Sequence, residues 1–393
     1  MDLNSYNLVN APVLPECFVS IVIPVRDEAE HLIANLDAFA NQIDLQNAAL
    51  DPKLFEIIVL ANNCSDDSAA LTRDWKNRNA PVNLHVVEMN FPPENSNVGF
   101  VRRLLMNEAF YRLKKNKTDN GIIMTTDGDT RVAPDWIAQN IKEIAGGADA
   151  VGGRILLEAS ELEQMDKRAR YLHLLDEEYR LLVAEFECVL DRIPHDVFPR
   201  HHQHFNGSFA VTTRAFEQAG GVPEVEFLED VAFYHALLRV DAKVRHSPRV
   251  KVFTSGRNVG RSQVGLSFQI NKWTEMGKNN VVYSVESAVA IEKRMLTRKR
   301  LRSFWEKVSA EGLPTNDEIA SLAQNIKVPA EWLSGEIGKR QTFGKLLENV
   351  FRAQDENAAR RKQNPFLPIE QAVSDLQKRL KELRRESAVT ARA

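Results

Sequence analysis

Residues 18–25 read FVSIVIPV, an almost unbroken run of apolar and β-branched side chains. Such a run is typical of a strand covered on both faces, as in a parallel sheet. The residues from Arg26 to about Gln42 carry acids near their start and apolar residues at helical spacing, so they predict a helix. A strand followed directly by a helix is the first half of a crossover unit.

The same alternation continues through the first 130 residues. Further strands are predicted at 55–61 (FEIIVLA), 84–89 and 121–126 (GIIMTT), with helices between them. This order predicts an α/β fold with a mostly parallel sheet flanked by helices. Because ligands bind beyond the carboxyl ends of such strands, functional residues are expected at the strand ends. Those ends are 26–28, 62–63 and 127–129.

Composition narrows the class of protein. The 393 residues are 44% hydrophobic and 27% charged, which excludes a wholly disordered, collagen-like or coiled-coil protein. A net charge of −3 argues against a nucleic-acid partner. Cys17, Cys64 and Cys188 lack CxxC spacing, which favours a reducing, cytoplasmic location. The apolar stretches are too short to predict a transmembrane span.

The clearest chemical signal is Asp127-Gly128-Asp129, directly after the predicted fourth strand. Two carboxylates two residues apart point to the same side of an extended chain, and the glycine allows close approach of a ligand. Such a pair suits a hard divalent cation, which stabilises the charge that develops on a diphosphate leaving group. Taken alone, the tripeptide fits a solvated turn even more often.

A second acidic pair, Glu229-Asp230, precedes a predicted helix about a hundred residues downstream. A carboxylate near the metal could accept the proton of an attacking hydroxyl, as a general base does. Taken alone, both acids are simply favourable residues for a helix N-terminus.

The ordered set SIVIPVRDEAEHL, VLANNCSDDS, TTDGD and GGVPEVEFLED resembles the family-two glycosyltransferases of the GT-A fold, over about residues 18–261. The resemblance implies a nucleotide-sugar donor, with UDP favoured, a Mg²⁺ or Mn²⁺ ion, and transfer of a sugar, expected to be a hexose, with inversion. It assigns the metal to Asp129 and Asp127, and catalysis to Asp230 with Glu229 beside it. A retaining transferase or nucleotidyltransferase on the same fold, or a non-catalytic nucleotide-sugar-binding scaffold, stays open.

The donor site departs from the family pattern at two places. Asn62-Asn63 replaces a frequent aspartate pair at the base, and Thr254 to Arg257 replaces a frequent histidine. Arg257 and Arg261, in the stretch TSGRNVGR at 254–261, could neutralise diphosphate by bidentate contacts, or lie exposed in a loop. Of the adjacent Arg102 and Arg103, one is expected to face solvent. The predicted donor-binding residues are Pro24, Arg26, Glu28, Asn62, Arg102, Arg103, Asp127, Arg257 and Arg261.

The acceptor is predicted less sharply. His204, Asn206 and Gly207 lie ahead of the second acidic pair and are expected to line the acceptor pocket, although a plain surface loop fits equally well. A small molecule, a metabolite and a lipid head group all remain open as acceptors. The basic run at 293–302 makes peripheral membrane contact conceivable, but a solvated helix face is the commoner explanation.

Motif order also predicts the domain organisation. Residues 1–17 form an N-terminal arm, and residues 18–261 a catalytic domain with a helical insertion at about 162–204. Residues 262–393 form a helical extension that is too charged and too helical to be a second enzyme. This extension is expected to cover the mouth of the active site or to build a homo-oligomer.

Overall fold

The computed structural model describes residues 7–79, 81–116, 120–257, 265–312, 314–355 and 366–390. Its contacts divide the chain into two units. The first comprises Met1–Asp166, Gln203–Leu237 and Ala242–Lys272, and the second comprises Lys167–His202, Leu238–Asp241 and Trp273–Ala393.

The first unit contains a sheet of eight strands. They are β1 (Val19–Val25), β2 (Phe55–Asn62), β3 (Leu84–Met89), β4 (Ile122–Thr126), β5 (Thr130–Val132), β6 (Ala150–Leu157), β7 (Ser208–Thr212) and β8 (Val244–Thr254). Their spatial order is β3-β2-β1-β4-β7-β6-β8-β5. The pairs β3-β2, β2-β1, β1-β4 and β6-β8 are parallel, while β4-β7, β7-β6 and β8-β5 are antiparallel. The predicted α/β class with a mostly parallel sheet is confirmed.

Helices flank this sheet and make up most of the second unit. In chain order they are α1 (Ala29–Ala40), α2 (Ser68–Arg78), α3 (Val98–Lys115), α4 (Trp136–Ala145), α5 (Ala159–Gln164), α6 (Lys167–Leu190), α7 (Thr213–Gln218), α8 (Glu229–Arg239), α9 (Leu266–Lys278), α10 (Ala288–Glu311), α11 (Asn316–Ile326), α12 (Ala330–Gly338), α13 (Phe343–Asp355) and α14 (Ile369–Thr390). The helical insertion predicted at about 162–204 begins within α5 and contains α6, and the two helices are separated by Met165 and Asp166.

The main core of the first unit lies between the sheet and helices α1, α2 and α4. Phe39, Trp75 and Trp136 are almost completely buried there against apolar residues of β1, β2 and β4. Helix α3 packs on the same three strands. Because close packing holds β1, β2 and β4 in place, the first residues of the loops after these strands have fixed positions.

A buried charge cluster lies away from those strand ends. Glu56 on β2 is fully buried, and its carboxylate accepts hydrogen bonds from Arg112 Nε (2.9 Å), Arg112 Nη2 (2.6 Å) and Ser20 Oγ (3.0 Å). The Nε2 atom of His85 lies 3.3 Å from the second carboxylate oxygen. Arg112 also donates to the carbonyl of Ala11 (2.8 Å), so the cluster holds the residues before β1.

The second unit is helical except for a short antiparallel pair, β9 (Ser284–Glu286) and β10 (Phe366–Pro368). Its apolar core includes Leu301, Leu333, Leu346 and Val350, each fully buried. Helices α10 and α14 pack on α6. Across the described ranges, every helix is either too short or too polar to cross a bilayer.

Candidate active site

One edge of the sheet collects most of the residues predicted to bind ligands. The carboxyl ends of β1, β2 and β4 lie there because these strands are parallel neighbours. The antiparallel pairing of Thr126 with Ser208 brings the start of β7 to the same edge, and Thr130 pairs with Thr254 at the end of β8. The sheet topology thus brings together loops that are far apart in the sequence.

The turn at Asp127-Gly128-Asp129 is held by contacts on both sides. A Cβ added to Gly128 would lie 3.1 Å from Glu28 Cγ and 3.2 Å from Val25 Cγ2, so only glycine leaves the end of β1 undisturbed. The side chain of Asn35 on α1 donates to the carbonyl of Gly128. Sequence reasoning missed Asn35, because nothing in its local sequence distinguishes it from other polar residues of an amphipathic helix.

Arg257 joins two of the acids at this edge. Its Nη atoms each donate to one oxygen of Glu28 at 2.8 Å, and Nη2 lies 2.9 Å from Asp129 Oδ2. These bonds to Glu28, first of all, raise the pKa of the guanidinium. Arg257 is therefore placed among carboxylates at the strand ends. Arg261, its predicted companion, lies outside the described residues.

Arg102 and Arg103 point to different surroundings. Arg102 is buried, and it donates through Nη1 to Glu229 Oε1 (2.7 Å) and through Nη2 to Asp127. Arg103 instead pairs with the exposed Glu224 at 2.6 Å. Only the first of the two arginines contacts the acids of this edge.

Among the described residues, the acids of this site outnumber the bases. Five carboxylates and two guanidiniums lie there, namely Glu28, Asp127, Asp129, Glu229, Asp230, Arg102 and Arg257. Burial, and then the charge of Asp127, raise the pKa of Asp129 to about 6, against a smaller opposing effect of Arg257. A surplus of oxygen ligands, one of which resists ionisation, is a set that a hard divalent cation fits.

Asp230 lies at the N-terminus of α8, where its Oδ1 accepts a hydrogen bond from the backbone N–H of Val231 (2.8 Å). It is partly buried. Burial first, and the charge of Glu229 second, raise its pKa to about 6. A carboxylate with a pKa in this range can accept a proton near neutral pH and release it again.

The loop before β7 contributes aromatic and amide groups near Asp230. The ring of His204 stacks on Tyr234 of α8, with centroids 3.9 Å apart and planes 13° apart. Tyr234 follows Asp230 by four residues, so both lie on one side of the helix, a spacing that is visible in the sequence. Asn206 is 2% exposed, and both polar atoms of its side chain lack a hydrogen-bond partner among the described residues.

Gly207 lies directly against the carboxylate of Asp127. A Cβ at this position would lie 2.9 Å from Asp127 Oδ2 and 3.0 Å from Ile155 Cδ1. Thr126 Oγ1 donates to the carbonyl of Gly207 at 2.9 Å, which holds the loop in place. A side chain at this position would therefore contact the Asp127 carboxylate.

Gly207→Ala is therefore expected to displace the Asp127 carboxylate and to weaken Mn²⁺ binding by about tenfold, the usual cost of disturbing the surroundings of a ligand. Titration calorimetry with Mn²⁺ measures this effect. The control is Gly335→Ala, since a Cβ on Gly335 of α12 meets nothing within 4 Å. Equal Mn²⁺ affinity in both variants would show that Asp127 does not bind the ion.

The end of β2 is tied to the loop before α3. Asn62 is buried, and its Nδ2 donates to the carbonyl of Ser96 (3.0 Å), which also accepts from the exposed Arg26 (3.2 Å). The Oδ1 atom of Asn62 has no hydrogen-bond partner within the described part of the chain. Asn63 forms two hydrogen bonds with the backbone of Phe91. Asn62 Oδ1 is therefore a buried acceptor at the strand end that no described donor contacts.

Asp27, Cys64 and Asp66 also lie close enough together to hold a cation, with ligand atoms within 4.8 Å of one another. Their polar atoms already have structural roles. Asp27 Oδ1 accepts from the N–H groups of Ser65 and Asp66, and Asp66 accepts from the N–H of Ala29. This group stabilises the turns after β1 and β2.

Several solved structures resemble the chain at low identity. A mannosyltransferase from Pyrobaculum calidifontis in complex with GDP-Man and Mn²⁺ is 14% identical, with a TM-score of 0.42 over 95% of this chain and 90% of that one. TarS of S. aureus in complex with UDP-GlcNAc is 12% identical, with a TM-score of 0.43 over 85% and 91%. Glucosyl-3-phosphoglycerate synthase from Mycobacterium tuberculosis is 14% identical, with a TM-score of 0.35 over 69% and 83%. Scores this low carry no argument about substrate or mechanism.

A family comparison is more informative. A sequence search of curated proteins found no match. Residues 20–195, somewhat under half of the chain, match the model of Glycosyl transferase family 2. The matched segment includes Asp127 and Asp129 and ends before Glu229 and Asp230. Residues 20–195 are therefore similar to the glycosyltransferases of family 2, the family that the order of the motifs indicated.

Proposed function

We propose that the protein transfers a sugar from a nucleotide-diphosphate donor to a hydroxyl acceptor, with a divalent cation and with inversion at the anomeric carbon. The observation that carries this proposal is the bridge made by Arg102, which joins Asp127 at the end of β4 to Glu229 beside Asp230 at the start of α8. Asp127, which is proposed to bind the metal, and Asp230, which is proposed to be the base, thus belong to one connected site. A hexose is the expected sugar.

Asp127 and Asp129 would hold Mg²⁺ or Mn²⁺. The raised pKa of Asp129 supports this assignment, since a cation between these acids would offset the burial and the charge of Asp127 that disfavour its ionisation. When bound, the ion would stabilise the negative charge that develops on the departing diphosphate. Mn²⁺ and Mg²⁺ both accept an all-oxygen set of ligands.

The end of β2 is proposed to read the base of the donor, next to Pro24 and Glu28 of the β1 end. Asn62 Nδ2 is already used by Ser96, so the atom available for the base is Oδ1, an acceptor. An acceptor can take a hydrogen bond from the ring N–H of uracil, which agrees with a UDP-sugar, but it can equally take one from the exocyclic amino group of another base. UDP-sugars are the favoured donors because the family resemblance implies them.

Asp230 is proposed to act as the general base. The acceptor oxygen attacks the anomeric carbon and its proton passes to Asp230, while the bond from that carbon to the diphosphate oxygen breaks. The loop at His204, Asn206 and Gly207 is proposed to bind the acceptor. Asn206 supports this assignment because neither polar atom of its buried amide has a hydrogen-bond partner among the described residues.

Asp230→Asn tests the base directly. The substitution keeps the size and the acceptor oxygen but removes proton affinity, so kcat is expected to fall about 10²–10⁴-fold while Mn²⁺-dependent donor binding is retained. A thermal-shift screen of UDP-, GDP-, dTDP- and ADP-sugars with Mn²⁺ supplies the donor. Wild-type turnover in this variant would remove Asp230 from its proposed role.

The pH dependence of transfer provides an independent prediction. At saturating Mn²⁺, which keeps Asp129 ionised, kcat is expected to fall by about tenfold per pH unit below the Asp230 pKa of about 6, because only the ionised carboxylate accepts a proton. Initial rates from pH 5 to 8 measure this limb. A rate that stays constant down to pH 5 would contradict the assignment.

A further inference from the structure

Both terminal nitrogens of Arg102 are already bonded to acids. Nη1 donates to Glu229 Oε1 at 2.7 Å and Nη2 donates to Asp127, while the side chain is only 5% exposed. Two of its five N–H groups thus make charge-assisted bonds, which are among the stronger hydrogen bonds in proteins, and a diphosphate would have to enter a buried position to reach the others. The geometry therefore favours Arg102 as a connection between two acids over a ligand of phosphate.

Glu229 is held on two sides. Its carboxylate faces Arg102, and its Cβ and Cγ pack against the first turn of α3, where a Cβ on Gly99 would lie 3.4 Å and 3.6 Å from them. The neighbouring Asp230 instead accepts from the N–H of Val231. The two adjacent acids therefore face different partners, although the sequence pairs them.

We propose that Glu229 is a positioning residue: through Arg102 it fixes the start of α8, and with it the carboxylate of Asp230, relative to Asp127. This inference rests on the proposed function and changes the expected roles of two residues. Glu229 is no longer assigned to catalysis with Asp230. Arg102 fixes the distance between Asp127, the proposed metal ligand, and Asp230, the proposed base. Neither residue then touches the reacting atoms.

The physical reason is stiffness. Asp230 follows Glu229 directly at the first turn of a helix, so a shift of Glu229 moves the base with it. A misplacement of about 1 Å at a reacting group costs about 10²-fold in rate. Donor binding does not depend on that distance, so loss of the bridge is expected to lower kcat and leave KM for the donor largely unchanged.

Glu229→Ala and Glu229→Gln form the central test. Alanine removes the bond but leaves Arg102 paired with Asp127, so folding should survive; kcat is expected to fall about 10²-fold, with KM for the donor within about threefold of wild type. Glutamine keeps an acceptor oxygen at the same place and is expected to recover most of the lost rate. The assay follows release of UDP from UDP-glucose with Mn²⁺ and no added acceptor, or uses the donor that the thermal-shift screen selects.

Arg102→Met tests the other end of the bridge. It is expected to lower kcat at least as far as Glu229→Ala, and the double variant should be no slower than Arg102→Met alone, since both changes break one connection. The control is Arg214→Met, which removes an exposed pair with Asp149 in the same unit. That control should match wild type in kcat and KM.

Three outcomes would overturn the inference: wild-type kcat in Glu229→Ala, an equal loss in the Ala and Gln variants, or a tenfold rise in donor KM without loss of kcat. The last would identify Arg102 and Glu229 as donor ligands. Failure of the proposed function looks different, because Asp230→Asn would then turn over normally, or the wild type would release no nucleoside diphosphate from any donor. That second result would overturn both proposals.

Discussion

Asp129→Ala is expected to abolish Mn²⁺-dependent binding of the donor and to lower kcat for transfer by about 10²–10³-fold or more, the usual cost of losing one electrostatic contact to developing charge. Asp129 is 15% exposed, and its carboxylate lies at the strand edge beside Arg257. Without it, Asp127 alone would have to hold the ion. Calorimetry with Mn²⁺ and UDP, followed by initial-rate kinetics, measures both effects.

The matched control for this variant is Asp135→Ala. Asp135 belongs to the same unit, but its carboxylate accepts from the side chain of Gln139 at the start of α4. Its removal should leave Mn²⁺ affinity and kcat as in wild type. If Asp129→Ala bound UDP and Mn²⁺ as well as this control, the metal assignment would be wrong.

Glu56→Ala is expected to cost about 3–5 kcal/mol of unfolding free energy, the largest stability effect predicted for this chain. The substitution leaves the guanidinium of Arg112 buried without its carboxylate, at 5% exposure. Urea unfolding followed by circular dichroism measures the loss. Glu88→Ala on the neighbouring β3 removes only an exposed pair with Arg73 and should cost less than about 1 kcal/mol.

The same cluster predicts an acid-sensitive fold. Burial by itself raises the pKa of Glu56, but hydrogen bonds from His85 and Arg112, together with the charge of Arg112, lower it from 4.5 to about 2. Because the folded-state pKa is the lower one, this stabilisation is complete above pH 4.5 and is lost as the pH falls toward 2. An unfolding free energy difference between wild type and Glu56→Ala that stays constant from pH 6 to 3 would contradict this account.

Local sequence predicted the first half of the sheet well. Strands β1, β2 and β4 are mostly apolar runs followed by turn residues or helical patterns, and β3 is a weaker run of the same kind, so their type and order could be inferred without tertiary information. Because parallel strands end at one edge, the positions of Asp127 and Asp129 at the site followed from the same reasoning.

Strands β5, β6 and β8 were not predicted, and a physical feature of each strand explains why. Gly152 and Gly153 weaken the strand pattern of β6, yet glycine is needed there because a Cβ on Gly152 would lie 2.5 Å from the carbonyl of Gln203, and one on Gly153 would collide with Ser208. Pro248 interrupts β8, whose register with β6 shifts between Gly153 and Arg154. Strand β5 has three residues, too few for any periodicity.

The ion pairs of the site could not be predicted from the sequence either. Arg102 and Glu229 are 127 residues apart in the chain, and Arg257 and Glu28 are 229 apart. Motif order identified these residues as members of one site but did not indicate which arginine pairs with which acid. The choice between Arg102 and Arg103 likewise needed the rotation of α3, which is set by packing against β1, β2 and β4.

The anomeric configuration of the product tests the central proposal most directly. Proton NMR of an early reaction mixture of the wild-type protein, an α-linked nucleotide sugar from the thermal-shift screen and Mn²⁺ reports the configuration before mutarotation obscures it. Single displacement with Asp230 as base predicts a β-anomeric product that appears together with nucleoside diphosphate. An α-anomeric product, or no release of diphosphate from any donor, would contradict the account.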